Sequence, residues 1–132
     1  MRFIVMAMAT KELEAAPPPK PEAFALMQQY NEDLATRGIL LAAEGLTSKG
    51  VRVRFSGDER IVTDGPFTET KELVAGFTII KVNSLEEAIE VVKRAPNVSP
   101  NGQGQVEIRK LMDVEDFGDG FTPNEEIAKV KF

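Results

Sequence analysis

The chain contains neither cysteine nor histidine among its 132 residues. The lack of cysteine excludes disulfides, thiolate metal sites and cysteine nucleophiles, and it is consistent with a reducing compartment. The lack of histidine removes the commonest general base and the commonest ligand of transition metals. No cofactor motif is present either. We therefore expect no cofactor and no metal, and any catalysis would be cofactor-free proton transfer or lyase chemistry.

Long apolar segments and an excess of positive charge are also missing. The opening MRFIVMAMAT has an apolar run of only about seven residues and is followed directly by the polar TKELEAAPPPK, which favours a buried strand over a secretory signal. No segment approaches the ~20 apolar residues of a membrane span. The net charge of −5 gives no broad basic surface for nucleic acid. We expect a cytoplasmic protein that binds neither membranes nor nucleic acid.

The composition is that of an ordinary soluble domain. Apolar residues make up 42% of the chain and charged residues 28%, enough for a core and for a solvated surface. The length predicts a single domain over residues 1–132, with a C-terminal extension at about 112–132. The acids of DVEDFGDG in that extension lack the order and the closing glutamate of a calcium loop, so we expect no calcium site there.

Helical spacing predicts two main helices. The first covers residues 22–37, with Pro21 at the first helical position and Gly38 at the end. The second, SLEEAIEVVKRAP, begins with a capping box of Ser84 and Glu87. The expected apolar stripes are Ala23, Met27, Tyr30 and Leu34 in the first helix, and Leu85, Ala88, Ile89 and Val92 in the second.

The other patterns are those of strands and of one short helix. Residues 3–8 and the segment VAGFTIIKV are apolar on both faces, as central strands are. ILLAAEGL and QVEIRKL predict two further strands, and the alternating VRVRF, the turn SGDE and the returning RIVT predict a hairpin over residues 51–63. A second capping box, Thr122 with Glu125, predicts a short terminal helix. The order is the βαββαβ plan of a ferredoxin-like α+β domain with an inserted β-hairpin.

The two faces of the central strands predict an assembly. Two helices cover only one face of a sheet, yet the first strand places Phe3, Val5 and Ala7 on one face and Ile4, Met6 and Met8 on the other. The second apolar face needs a partner, and the simplest partner in a chain of this length is the same sheet of a second copy. We therefore expect a homodimer with stacked sheets.

The segment TDGPFTETKE, residues 63–72, has two interpretations. In the structural one, Asp64 accepts backbone hydrogen bonds in a turn, Gly65 supplies a positive φ, and Phe67 anchors the loop in the core. In the functional one, a carboxylate with a raised pKa serves as a general base beside a cleft, and a lysine stabilises an anion. The candidates from this segment are Asp64 and Glu72 for catalysis, and Glu69 and Lys71 for binding a ligand.

Three further residues are candidates outside this segment. Glu44 in AAEGL is a lone acid after an apolar run, and it is either a catalytic acid in a cleft or a strand-end residue in water. Arg52 and Arg54 project from one face of the predicted hairpin. They could hold an anionic small molecule, or they could simply form an exposed polar face.

The motif DGPFTETKE resembles the DGPFAETKE signature of the YCII-related, or DGPF-domain, proteins. The resemblance continues through AAEGL, VRVRFSGDERIVTDGPF, AGFTIIKVNSLEEAIEVVKRAPN and EIRKL, and the start MRFIVMAMATKELEA and the tail EDFGDGFTP are similar to one bacterial branch of the family. It thus covers nearly the whole chain. It implies the fold expected above in a dimeric α+β barrel form, and it implies no activity.

Two consequences of this resemblance concern function. Smaller YciI-type relatives carry a histidine on the first helix, near Ala23 or Met27 here, and members of the branch often carry one near Ser99. This chain has neither, so a histidine-dependent mechanism does not transfer. DGPF-domain proteins are often encoded beside extracytoplasmic-function sigma factors, which implies a non-enzymatic regulatory role as the alternative to a small-molecule-binding protein or enzyme.

Overall fold

The computed structural model describes residues 1–10, 15–65 and 74–118. The predicted terminal helix at Thr122–Glu125 and most of the TDGPFTETKE segment lie outside these ranges. No helix in the described ranges is long and apolar enough to cross a membrane. The elements are β1 Arg2–Met8, α1 Pro21–Thr36, β2 Leu40–Gly45, β3 Val51–Ser56, β4 Glu59–Asp64, β5 Val74–Lys81, α2 Leu85–Lys93 and β6 Val106–Lys110.

The main sheet is antiparallel and has four strands in the order β2-β5-β1-β6. Its central strands are β1 and β5, the two segments whose sequences are apolar on both faces. The order is consistent with a ferredoxin-like arrangement, so the predicted α+β class is confirmed. Within the part of the chain that the structure describes, strands β3 and β4 pair only with each other, in a separate two-stranded sheet.

Local sequence signals determine both ends of α1. Pro21 occupies the start of the helix, where its fixed φ is favourable and its missing N–H is not needed. Gly38 follows the last turn with φ +74°, a conformation that glycine adopts without a steric penalty. The Ile39 N–H donates to the Leu34 carbonyl over 2.9 Å, and the chain then enters β2. The predicted start and end of this helix are confirmed.

Helix α2 begins as predicted but presents a different face to the sheet. The Ser84 hydroxyl accepts from the Glu87 N–H over 3.1 Å, which is the predicted cap. The buried residues of the helix are Ala88 and Val91, whereas Leu85 and Ile89 are 46% and 39% exposed. The predicted stripe was therefore wrong for Leu85 and Ile89. The helix is rotated so that Ala88, Val91 and Val92 pack inward.

The core lies between the helices and one face of the main sheet. Phe3 and Ile80 are directly opposite each other on β1 and β5, and they are only 2% and 1% exposed. Leu34 from α1 and Ala88 from α2 cover this pair. The remaining core residues are Val5, Ile39, Val82 and Val91.

The opposite face of the sheet is also apolar along its two central strands. In the strand register Ile4 pairs with Ile79, and Met6 pairs with Phe77, so these side chains share the face that points away from the helices. Ile79 is 5% exposed, and Ile4, Met6 and Phe77 are only partly buried. We call this surface the outer sheet face; it is the face for which the sequence predicts a second copy as partner.

The β3–β4 hairpin carries an exposed apolar stripe on one face. Val53 and Val62 are cross-strand partners, and the stripe also includes Val51 and Phe55. The exposed fractions of these four side chains lie between 50% and 70%. The guanidinium carbon of Arg60 lies 4.5 Å from the centre of the Phe55 ring. Alternation places the candidate residues Arg52 and Arg54 on the other face of the hairpin.

Candidate functional site

A pocket of about 350 Å³ opens between the two helices and the helix-facing side of the main sheet. Most of its walls are apolar side chains. Its volume and lining are typical of sites that hold small organic molecules. The central lining residues are Val5, Met27, Leu34, Ile80, Val91 and Val92.

The pocket exists because side-chain size changes along the central strands. At one end, the pair Phe3 and Ile80 fills the space under the helices. Toward the other end, Ala7 pairs with Gly76, and Gly76 in turn pairs with Gly45 of β2. These three positions lie on the same face of the sheet as Phe3, but they carry one methyl group or none. The helices therefore rest on bulky side chains at one end and stand above empty space at the other.

Three polar side chains of the pocket carry no charge. The Tyr30 hydroxyl donates to the Val91 carbonyl over 2.6 Å. Thr78 is opposite Val5 and therefore on the helix-facing side. The side-chain oxygen of Asn31 is buried and has no hydrogen-bond partner within the described residues. An unpaired buried polar group of this kind costs about 1–3 kcal/mol.

The Tyr30 hydroxyl should titrate above its ordinary range. Burial raises its pKa, and the nearby Arg37 only partly opposes this effect. Tyr30 is the single tyrosine of the chain and there is no tryptophan, so ultraviolet absorbance follows this one group. We expect a higher midpoint in the folded protein than in the chain unfolded by urea. The unfolded chain ionises first as pH rises, so stability should fall above about pH 10. Equal midpoints in the two states would contradict this prediction.

Glu44 borders the pocket, but its side chain belongs to the outer sheet face. It is opposite Phe77, and its neighbour Ala43 is opposite Thr78, so Ala43 and not Glu44 points toward the helices. The part of Glu44 at the pocket is its main chain, whose carbonyl oxygen lies beside Gly76. The Glu44 residue as a whole is exposed.

The other predicted site residues are not among those that line the pocket. Asp64 is exposed at the end of β4, opposite Val51, and the following Gly65 N–H donates to the Gly50 carbonyl over 2.9 Å. Arg52 and Arg54 are exposed on β3. Glu69, Lys71 and Glu72, together with Phe67, lie outside the described residues, and their roles stay predictions.

Sequence reasoning missed Asn31, whose side-chain oxygen is buried without a partner in the described residues. Asn31 lies four residues after Met27 and three before Leu34, so it shares the inward side of α1 with two members of the predicted apolar stripe. A polar residue at an inward helical position was the available signal.

In residues 1–10, 15–65 and 74–118, no cluster of three or more carboxylates is placed to hold a metal ion.

The model of the YCII-related domain family matches residues 1–115. The chain belongs to the YCII-related family. The matched range includes all six described strands and both helices, and therefore the whole pocket. The pocket therefore lies within the part of the chain that the family model matches.

The chain is also similar to a bacterial protein whose function is unknown. It is 42% identical over 65 residues to the uncharacterized protein R00369 of Rhizobium meliloti (strain 1021). The match covers 49% of this chain and 52% of that protein, so the chain spans about half the length of the curated relative that it matches.

Proposed function

We propose that this YCII-related protein binds a small organic molecule in the pocket between its helices and its main sheet, either as a binding protein or as a cofactor-free enzyme. The observation that carries the proposal is the apolar pocket of about 350 Å³, with a few uncharged polar groups in its wall. The position of the pocket also supports it, since Gly76 lies only a few residues after the DGPFTETKE motif.

The arrangement favours binding over acid–base chemistry by the described residues. The side chain of Glu44 lies on the outer sheet face by strand alternation, and Asp64 is exposed on the hairpin. Catalysis in the pocket by a charged side chain would therefore have to use Lys71 or Glu72, which lie shortly before β5, or Glu69. These residues remain our candidates for a catalytic or ligand-binding role.

A variant that fills the pocket tests the proposal. Ala95 lines the pocket just after α2, and Ala95→Leu adds three carbon atoms to its wall. Compounds from a metabolite library that raise the melting temperature of the parent should no longer do so in this variant, because a ligand stabilises only a state that binds it. Ala25→Leu adds the same atoms at an exposed position of α1 and should respond like the parent. The proposal fails if no library compound stabilises the parent, or if Ala95→Leu responds as the parent does.

We also propose that two copies stack through their outer sheet faces in the dimeric α+β barrel form. The proposal is supported by Met6 and Phe77, which are opposite each other on the central strands and partly exposed. A sheet that is apolar on both faces is stable in water when both are covered, and isologous pairing covers the second face with the same surface.

The exposed hairpin favours a second candidate, which is a regulatory protein that binds an extracytoplasmic-function sigma factor. Its stripe of Val51, Val53, Phe55 and Val62 is at least 50% exposed at every position. Apolar stripes of this kind are typical of protein-binding surfaces. Such a role needs no ligand in the pocket.

Titration of the purified protein with an extracytoplasmic-function sigma factor of the same organism tests this candidate. Binding should weaken in Phe55→Ser, which removes the most exposed aromatic ring of the stripe, and should persist in Phe24→Ser, which removes an exposed ring from α1. Absence of binding by the parent excludes the candidate. A loss of dimer mass in Phe55→Ser would instead assign the stripe to contacts between copies.

A further inference from the structure

The carboxylates of the outer sheet face lie at one position along the strands. Next to the central pair of Met6 and Phe77, the register adds Glu107 on β6 and Glu44 on β2. Residues directly opposite each other share a face, so both acids flank the apolar centre of the outer sheet face. The face therefore has one acid at each edge of the sheet, on the same level as Met6.

Cations lie toward the other end of the same face. Arg109 is opposite Ile4, one level away from the two acids, and Arg2 is opposite Lys81, one level further. Like charges directly opposite each other destabilise a sheet. The ion pairs within the described residues involve none of these three cations. A partner that brings carboxylates to this end of the face would offset the repulsion.

Two aligned sheets related by a twofold axis can stack in two ways. If the axis runs along the strands, the strand order β2-β5-β1-β6 is reversed in the partner, so that β2 covers β6 and each residue keeps its level. Glu44 then faces Glu107 of the partner subunit, and Lys81 faces the partner's Arg2. Both contacts join like charges, and each occurs twice.

If the axis runs across the strands, each strand covers the same strand of the partner in the opposite direction. A register centred between Ile4 and Met6 places Ile4 on Met6 of the partner subunit, so the apolar levels cover each other. Arg109 is level with Ile4, and Glu107 is level with Met6. The same register therefore places Arg109 on Glu107 of the partner subunit, and opposite charges meet.

We propose that two copies stack with their β6 strands antiparallel, so that Arg109 of each copy pairs with Glu107 of the partner subunit. This inference rests on the proposed dimer through the outer sheet face, and it adds the orientation of the two copies and the charges that specify it. In an isologous interface the pair forms twice. Complementary charges across an interface fix its register and disfavour the arrangements in which like charges meet.

Charge reversal at these two positions tests the orientation. Arg109→Glu leaves two acids on the outer side of β6, and Glu107→Arg leaves two cations, so each variant alone replaces two attractions by two repulsions. We expect the dissociation constant of the dimer to rise roughly 10–100-fold in each, measured by sedimentation equilibrium with the full chain. Lys93→Glu makes the same change of charge as Arg109→Glu at an exposed position of α2 and should dimerise like the parent.

Two combinations should restore the association. In the double variant, Glu107→Arg with Arg109→Glu, the two charges are exchanged and each still faces its opposite in the partner. A 1:1 mixture of the two single variants should form the mixed dimer, since the two acids of one copy face the two cations of the other. Recovery in the mixture also shows that both single variants are folded.

The outcomes separate the orientation from the dimer itself. A monomeric parent would overturn both. Tighter association of Glu107→Arg would keep the dimer and overturn the orientation, because a cation at that position is attracted to Glu44 of the partner subunit when the axis runs along the strands. Single variants that dimerise like the parent would also overturn the orientation, as would a double variant or a mixture that associates as weakly as the single variants.

Discussion

Met6→Glu should convert the proposed homodimer into a folded monomer. Met6 lies on β1 in the middle of the outer sheet face, opposite Phe77 on one side and Glu107 on the other. A glutamate there would place a charge in the apolar interface, with Glu107 as a like-charged neighbour. In an isologous interface each substitution occurs twice, and a buried charge without a partner costs several kcal/mol.

The variant should remain folded because Met6 is not part of the core. Phe3 and Ile80 pack on the opposite side of the sheet, under the helices. In the monomer the new carboxylate faces water, where the repulsion between like charges on neighbouring strands is a small destabilisation compared with a buried, unpaired charge. The matched control is Gln28→Glu, which makes the same carboxylate at an exposed position of α1 and should stay dimeric.

Light scattering at micromolar concentration measures both variants beside the parent. A monomeric parent would show that the outer sheet face is not an interface. If the parent and the Met6→Glu variant are both dimeric, the interface lies on another surface. The hairpin stripe around Phe55 is then the next surface to test.

The parts of the fold that sequence could predict are those that local signals determine. Pro21, Gly38 and Ser84 each act through their own backbone geometry or hydrogen bond, so both ends of α1 and the start of α2 followed from neighbouring residues alone. The central strands followed from segments that are apolar on both faces. The rotation of α2, by contrast, depends on what the sheet presents to it, and Leu85 therefore appeared to be a core residue.

The pocket depends on pairings between residues that are distant in sequence. Ala7, Gly45 and Gly76 are unremarkable separately, and they make a cavity only because the register aligns them across three strands. No local pattern specifies that alignment. Asn31 was visible as a polar residue on the inward side of α1, but no sequence pattern shows that its side-chain oxygen is buried without a partner in the described residues.

The position of Glu44 shows how one irregular residue changes a candidate site. Leu40 pairs with Ile80 and Ala42 with Ile79, so the register shifts between Leu40 and Ala42. If the side chains alternated regularly from Leu40 onward, Glu44 would lie on the same face as Leu40 and point toward the pocket. The hypothesis that Glu44 is a catalytic acid in a cleft required this orientation. The extra residue reverses the faces of the following positions and directs Glu44 to the outer sheet face.

Gly76→Ala should destabilise the protein by about 2 kcal/mol, within the range of overpacking a filled site. A Cβ at position 76 would lie 2.9 Å from the Glu44 carbonyl oxygen and 3.3 Å from the Gly45 Cα. Both atoms belong to the main chain of β2 and cannot turn aside as a flexible side chain can. Strand β2 would have to move away from β5, and Ala43 and Gly45 at the pocket wall would move with it.

The cross-strand partner of Gly76 is the control. A Cβ at Gly45 would meet no atom within 4 Å, so Gly45→Ala should be neutral or slightly stabilising, because alanine restricts the unfolded chain. Urea denaturation of both variants at one protein concentration gives the comparison, since the stability of a dimer depends on concentration. Equal losses in the two variants would mean that alanine is simply disfavoured at this end of the sheet. A loss confined to Gly76→Ala, with weaker binding of pocket ligands, would show that the close approach of β2 and β5 shapes the pocket.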